Sequence, residues 1–436
     1  MTWLRVTSAT LSDTTLRLVF HTSADVVLET IFTFNRSVSA SLDKLPKDRL
    51  ERLLHYIALG YAIYAFDYDY YDEIRTPLEL TTEERSFFED FYFNGMAEFR
   101  VENKLPITRK TVVTSLYDIA LPTSRIPAKT LHGAVVANGG GKDGATAIEV
   151  IRSVCDDLEW FTWNLHPNRA AVIKAADIPS ALVTNSTART NATKKYKGHK
   201  PLNGLLAFLT TLAALISGKE YAVLANEYSA NEANLTIDGV SVNHQYTKSF
   251  PVEQKLARLI DATGLGVTYF SILRPLYDLQ IMAIFIHFPR YFSAFISCNR
   301  QAFEGKWCME CAKCAFVVLC VTALDPSAAK RIWGDDKIIA RPELYEHIAA
   351  LIIAAEDKPF ECVGTLEECQ VAAGMIRNQA AFFATLPKGL QTLLSQHAPP
   401  AFDASCNAII HVYKRENSIP QALQPDVYAF FAKYLA

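Results

Sequence analysis

Two stretches of this chain hold residue types at spacings that can do chemistry. The first is Gly139-Gly140-Gly141-Lys142-Asp143-Gly144. It follows the apolar run Gly133-Ala134-Val135-Val136-Ala137, which reads as a buried strand. It precedes Ala145-Thr146-Ala147-Ile148-Glu149-Val150-Ile151, which reads as a helix. Glycines let the backbone approach an anion, and the free N–H groups and dipole of a helix N-terminus favour negative charge there. Strand, glycine turn and helix start together make a phosphate-binding device. The second stretch is Cys308-Met-Glu-Cys311-Ala-Lys-Cys314, with Cys298 ahead of it. Four thiolates close a tetrahedral zinc shell, and a Cys-x2-Cys pair places two sulfurs on one ion. An iron–sulfur cluster is the alternative for such a run. No proline follows the last cysteine and nothing suggests redox chemistry, so Zn2+ is expected. With four protein ligands its role is structural. Cys320 sits in an apolar run and reads as core. Cys362, Cys369 and Cys406 lack metal spacing and read as packed thiols.

The kind of phosphate device can be narrowed. The Walker pattern is absent, because Gly-Lys is not followed by Ser or Thr at the required spacing. Gly139, Gly141 and Gly144 match a dinucleotide fingerprint only by accident. The run is similar instead to the pyrophosphatase loop, Ser-Gly-Gly-x-Asp-Ser, of enzymes that cleave ATP to AMP and pyrophosphate. Gly139 and Gly144 stand where that loop has serines, so two hydroxyl contacts to phosphate are missing.

The elements that must position these groups fall into three parts. Residues 1 to 125 are aromatic-rich and read as an α+β domain. Leu16–Phe20 and Val26–Leu28 are expected strands, Lys47–Tyr64 an expected helix, and the aromatic runs from Tyr61 to Tyr71 and from Phe87 to Phe93 core. From 126 to 325 strand and helix alternate. Strands are expected at Val135–Val136, Leu158–Trp163, Ser180–Thr184, Tyr221–Ala225 and Val267–Leu273, with helices at Ala145–Cys155, Asn168–Ala176, Pro201–Ile216 and Pro251–Ala262. This predicts an α/β fold with a parallel, doubly wound, Rossmann-like sheet. Ligands bind beyond the carboxyl ends of such strands. That rule gathers the glycine loop, Asn164–His166, Asn185-Ser186 and Asn226-Glu227 around one cleft. Residues 326 to 436 carry apolar stripes of helical period and read as a helical region.

Two polar segments stand out in the alternating part. Thr184–Lys200 reads as a long loop holding Asn185, Arg189, Lys194, Lys195 and Lys197, which suit an anionic substrate. Asn226–Asn234 and Val242–Phe250 together hold Glu227, Glu232, His244 and Lys248 after a buried strand. Polar density at a strand's carboxyl end favours a site.

Composition sets outer limits. The chain has 436 residues, 50% hydrophobic and 20% charged, with a net charge of −3, which gives no sign of nucleic-acid binding. No secretory signal is visible at Met1–Arg5. The most apolar run, Leu202–Ile216, is interrupted by Asn203, Gly204 and two threonines. Nine cysteines without a signal suggest a reducing compartment, so a cytoplasmic location is expected.

A pyrophosphatase-type loop followed by four such cysteines resembles the queuosine-pathway synthase in those two features. A wider resemblance lies elsewhere. Gly139–Asp143, Asn226–Glu232, Val242–Ser249, Ser297–Arg300, Trp307–Cys314 and Phe91–Phe99 look like the bacterial UDP-N-acetylmuramoyl-L-alanyl-L-glutamate epimerase family. That resemblance implies ATP-dependent inversion of the terminal L-glutamate of a peptidoglycan precursor, with AMP and pyrophosphate released. Adenylation has a chemical purpose there: it neutralises the carboxylate and makes the α-carbon acidic. The glycine loop would hold ATP phosphates, with Lys142 offsetting charge and Asp143 helping to place Mg2+. Glu227, Glu232, His244 and Lys248 are the acid–base candidates, with no choice among them. Arg189, Lys194, Lys195 and Lys197 would meet the UDP diphosphate. Two other classes stay open: an amide-forming or tRNA-modifying adenylating enzyme, and a non-catalytic nucleotide-binding module.

Overall fold

The computed structural model describes residues 1–116, 131–178, 180–354 and 358–435. The boundary expected between residues 125 and 126 lies outside the described residues. Twelve strands are described: β1 (Trp3–Leu11), β2 (Thr15–Thr22), β3 (Val27–Phe34), β4 (Glu73–Thr76), β5 (Val112–Ser115), β6 (Ala134–Ala137), β7 (Leu158–Trp163), β8 (Ala181–Arg189), β9 (Tyr221–Leu224), β10 (Leu235–Ile237), β11 (Val240–Val242) and β12 (Thr268–Ser271). Ten of them form one sheet in the order β12-β9-β6-β7-β8-β3-β2-β1-β4-β5, and β10-β11 is a separate hairpin. The β12-to-β8 part is parallel throughout, while β8-β3, β3-β2 and β2-β1 run antiparallel. The molecule is therefore a mixed α/β protein with a large, mostly parallel sheet.

Alternation along the strands explains its two cores. Successive side chains on a strand point to opposite faces. Val136, Trp160, Val223 and Phe270 enter one apolar cluster with helices Lys142–Arg152, Asp278–Phe285 and Ala312–Leu324. Their neighbours Val135, Phe161, Ala222 and Tyr269 enter the other, with helices Lys47–Tyr61, Leu202–Ser217 and Phe250–Ala262. Each fully buried large apolar side chain contributes about 1.5–3 kcal/mol relative to exposure. The aromatic runs of the N-terminal part lie in this second core: Phe66, Tyr70, Tyr71, Phe88 and Tyr92 are buried in it. Helix Ala312–Leu324 is apolar all round because it is enclosed all round, with a helical layer of Pro342–Ile352 and Leu366–Asn378 beyond it.

Two expectations need correction. Thr184–Arg189 is strand, not loop: it pairs from Phe34↔Thr184 to Glu29↔Arg189 with β3. Its residues are mostly exposed, so backbone hydrogen bonds rather than apolar alternation extend the strand. This ladder also puts strands from both sides of residue 125 into one sheet. The first helix of the alternating part begins at Lys142, so Lys142, Asp143 and Gly144 form its first turn rather than the end of a loop.

The sheet order carries one further consequence. From β6 the chain adds β7 and β8 on one side, then returns to add β9 and β12 on the other. Between β6 and β9 the direction of growth reverses. Loops leaving the carboxyl ends of those two strands part there and leave a crevice.

Candidate active site

A cleft of about 310 Å3 opens at that reversal. Ala137 and the glycine loop line it from β6, Leu224 and Asn226 from β9, and Lys248, Ser297, Lys313 and Cys362 from elsewhere in the fold. The loop is held by its own strand end. Asn138 Oδ1 accepts from the Gly140 N–H at 2.9 Å, and the Asn138 amide donates to the Arg169 carbonyl at 3.0 Å. From the other side the Ile296 N–H donates to the Gly140 carbonyl at 2.9 Å. Gly140 has φ +79°, and a Cβ there would stand 2.3 Å from Asn168 Nδ2, so only glycine fits. A Cβ at Gly139 would meet nothing within 4 Å, and one at Gly144 would come no nearer than 3.6 Å to a neighbour. Gly141 caps helix Lys142–Arg152 without a side chain over its end. An open concave backbone facing a helix N-terminus fits a phosphate group.

Lys142 does not do what its position in the sequence suggested. Its side chain is fully buried, and its Nζ forms ion pairs with Asp143 and with Asp278, which begins helix Asp278–Phe285. A cation removed from water requires such partners. Asp143 lies on the open side and lines the cleft. Burial alone would raise its carboxyl, but Lys142, Lys313 and Lys248 bring it down to about 2. Asp143 is thus an anion ringed by cations, too weak a base to take up protons near neutral pH.

Lys248 and Glu227 are brought together as the sequence suggested. Lys248 Nζ lies 3.4 Å from Glu227 Oε1 and 3.4 Å from Gln245 Oε1. Burial opposes charge on Lys248, yet Cys362, Glu227, Asp143 and Asp278 hold its ammonium well above the usual lysine range. Arg274, invisible to sequence reasoning, fixes both residues. It is fully buried, pairs with Glu253 at 2.7 Å, and donates to the carbonyls of Glu227 and Lys248. His244 Nδ1 lies 2.7 Å from Glu98 Oε2. Burial works against its protonation, but Cys362 and Glu98 push it up to about 10. The His199 ring lies 4.1 Å from the His244 ring, tilted by 41°, and falls well below the usual histidine value, through burial first and then the His244 charge.

Other expected residues lie apart. Glu232 faces a separate cavity and pairs with Lys358 at 3.3 Å, because the turn after Tyr228–Asn231 carries it to the helical side. Lys194 pairs with Asp67 at 2.9 Å and Lys195 with Asp69 at 3.1 Å, and Arg189 and Lys194 line a different small cavity with Tyr61 and Tyr64. The Lys197 backbone is tied to Asn103. Asn185 Oδ1 accepts from the Leu165 N–H at 3.2 Å, and Asn164 bonds Ser186, so these polar groups brace each other. Neither they nor His166 line the cleft. Sequence reasoning missed Lys313, Asp278, Asn203 and Ser297, and took Cys362 for a packed thiol. The signals available were that Lys313 lies inside the cysteine motif and Ser297 in the segment Ser297–Arg300 already singled out.

Cys298, Cys308, Cys311 and Cys314 converge, with all four sulfurs within 4.8 Å of one another. Cys308 and Cys314 sulfurs are 3.8 Å apart. A tetrahedron with Zn–S bonds near 2.3 Å has edges of about 3.8 Å, so the set fits zinc. Backbone N–H groups of Arg300, Gln301, Glu310 and Cys314 donate to these sulfurs at 3.3–3.4 Å, which offsets thiolate charge. The site adjoins the cleft: Ser297 Oγ accepts from the Lys142 N–H at 3.3 Å, and Cys298 is the next residue.

The fold and the site define an α/β protein with a glycine-walled, cation-lined cleft at the switch point of its parallel strands. Two family models match it: the MurL N-terminal domain over residues 3–272 and the MurL C-terminal domain over residues 294–396. The chain belongs to the MurL family. The first match crosses the boundary expected near residue 125, and the second holds all four converging cysteines and Cys362. A protein of Salinispora tropica named UDP-N-acetyl-alpha-D-muramoyl-L-alanyl-L-glutamate epimerase is 30% identical over 311 residues, 67% of this chain and 65% of the relative. Proteins of the same name from a Micromonospora species and Xanthomonas oryzae are 30% and 26% identical over 303 and 373 residues, covering 66% and 81% of the chain and 66% and 80% of the relatives. The chain thus spans just under two thirds of the length of the first two. Among the described residues no helix is long and apolar enough to cross a membrane.

Proposed function

We propose that this protein inverts the terminal L-glutamate of UDP-N-acetylmuramoyl-L-alanyl-L-glutamate in an ATP-dependent reaction through an adenylated carboxylate, releasing AMP and pyrophosphate. The observation that carries the reading is the meeting of the glycine loop, Asp143 and Lys248 in one cleft at the strand switch point. The name shared by the relatives supports the substrate. In this reading the loop backbone around Gly139–Gly144 takes the triphosphate as a pyrophosphatase loop does. Asp143 would hold Mg2+, whose charge would ease departure of pyrophosphate. Lys248 and Lys313, the cations lining the cleft, face the negative charge that develops on the activated carbonyl when the α-proton leaves. Held protonated, Lys248 and His244 serve as donors or charge stabilisers rather than as resting bases. The four cysteines would hold a structural zinc that braces the loop through Ser297. A cytoplasmic location follows from a soluble nucleotide-linked substrate. In this reading residues 126–325 form the ATP pyrophosphatase-like part with the four-cysteine site, and the helical region from 326 packs behind the zinc segment and adds Cys362 to the cleft.

The test is pyrophosphate and AMP release by the purified protein given ATP, Mg2+ and UDP-muramoyl-L-alanyl-L-glutamate, with uptake of deuterium at the glutamate α-carbon in D2O. Uptake should require ATP, since the α-proton beside a free carboxylate is too weakly acidic for a side-chain base. Asp143→Asn should abolish both. Exchange without ATP would remove the adenylate from the reaction, and turnover that needs ammonia or tRNA would point to another adenylating class.

A further inference from the structure

The cleft contains a thiol that the zinc set does not use. We propose that Cys362 is the general base that takes the α-proton of the activated glutamyl residue, aligned by His244 and, behind it, Glu98. This rests on the epimerase reading above.

The geometry is built from three directions. Cys362 lines the cleft together with Asp143, Gly144, Lys248 and Lys313. The His244 ring meets the Cys362 side chain on one side and Glu98 Oε2, at 2.7 Å, on the other. Glu98 is buried in helix Ala97–Glu102 and anchors the series thiol, imidazole, carboxylate. Such a series orients a nucleophile or base through its middle member. The segment that carries Cys362 is also pinned to the segment that carries His244. Asn234 Nδ2 donates to the Pro359 carbonyl at 2.6 Å, Asn234 Oδ1 accepts from the His244 N–H at 2.8 Å, and Gln245 Nε2 donates to the Val363 carbonyl at 3.2 Å. Four buried or half-buried groups are thus held in register about one thiol.

The surrounding charges suit the role. Burial raises the Cys362 thiol, but Lys248 and His244, with Lys313 beyond, outweigh it and bring it to about 7. Among the carboxylates near it, Glu227 and Glu98 are partners of Lys248 and His244, Asp143 lines the same cleft paired to Lys142, and the adjacent Glu361 accepts from the Lys313 N–H. A base that titrates near the working pH combines availability with driving force. The other ionisable groups of the cleft are poorly matched. Asp143, at about 2, is too weak a base, and Lys248 is already protonated.

The step balances without redox change. The thiolate sulfur bonds the α-hydrogen, and the C–H electron pair moves into the activated carbonyl as an enolate. A proton returns to the opposite face from one of the cleft ammonium groups, Lys248 or Lys313, and that group and the thiol re-equilibrate with solvent. Water then splits the acyl phosphate into AMP and the inverted carboxylate.

The test separates the half-reactions. Cys362→Ala and Cys362→Ser should retain pyrophosphate release within a few-fold. They should lose α-deuterium uptake and inversion by roughly 100-fold or more, the usual worth of a general base. Independently of any variant, iodoacetamide should alkylate Cys362 of the wild-type protein, read by peptide mapping, with a rate midpoint near pH 7. ATP plus the dipeptide substrate should protect it, and the alkylated protein should still release pyrophosphate without exchange. His244→Gln should move the alkylation midpoint upward, which a merely structural role would not do. Wild-type exchange in Cys362→Ala would overturn the assignment while leaving the epimerase reading intact, and so would a Cys362 that reacts like an ordinary thiol. A wild-type protein that neither cleaves ATP nor exchanges the proton would overturn both.

Discussion

Lys142→Met tests whether the loop lysine is a phosphate ligand or a buried strut. Its Nζ sits between Asp143 and Asp278, with Lys142 and Asp278 both almost wholly enclosed. Methionine preserves volume and removes only the charge. Asp143 still has Lys313 and Lys248 nearby and lies toward the cleft, so it tolerates the loss. Asp278 does not: its Oδ1 loses the ammonium, and its Oδ2 already lacks a hydrogen-bond partner. Breaking a buried pair by removing one member costs about 3–5 kcal/mol, because it strands the other charge. With about 2.1 cal/mol/K of unfolding entropy per residue, that is a fall in Tm on the order of 3–5 °C for a chain of 436 residues. The double variant Lys142→Met/Asp278→Leu removes the stranded charge and should recover most of the loss. The assay is thermal unfolding of the full chain at fixed protein concentration, without nucleotide. A single variant that melts like the wild type but has lost ATP cleavage would refute the strut and return Lys142 to the phosphates.

The remaining predictions concern the loop, the metal and pH. Gly140→Ala combines an unfavourable φ with a contact to Asn168, so it should lower Tm and abolish ATP cleavage, whereas Gly144→Ser fits and should lower the KM for ATP by restoring a hydroxyl; a raised KM would count against the pyrophosphatase alignment. Metal analysis should find one zinc per chain, and Cys311→Ser should lower Tm before it lowers turnover; metal-free protein of unchanged Tm would exclude a structural role. Glu368 is fully buried and accepts from Ser229 Oγ at 2.6 Å, the Thr365 N–H at 2.8 Å and the Leu279 N–H at 2.9 Å; burial, then Asp278, raises its carboxyl to about 7. A carboxyl raised above its unfolded value stabilises the fold at low pH and loses that contribution as pH rises through about 7, here on the order of 3 kcal/mol. Tm should therefore fall between about pH 4.5 and 7 and level off above that, and Glu368→Gln should flatten that slope.

Local chemistry was legible in the residues themselves. The glycine turn, the cysteine spacing and the strand–helix alternation from 133 to 273 each depend on contacts within a few residues or on one repeating period, and the structure has a strand–turn–helix, four converging cysteines and that alternation there, with the first helix starting earlier at Lys142 and β8 running on to Arg189. The short loop from β6 into its helix could be read because only glycine satisfies the backbone at Gly140. What depends on distant partners was not legible. Whether Lys142 points to solvent or inward is decided by Asp278, 136 residues away. The strand character of Thr184–Arg189 comes from pairing with β3, for which its own polar residues give no sign. The basic loop looked free to bind an anion because Asp67 and Asp69, its partners, lie more than 120 residues earlier. Cys362 looked like a packed thiol because its surroundings, Lys248 and His244 from one segment and Lys313 from another, are distant in the chain. Charge and burial are set by what the fold brings near, and a single line of residues records only what is already adjacent.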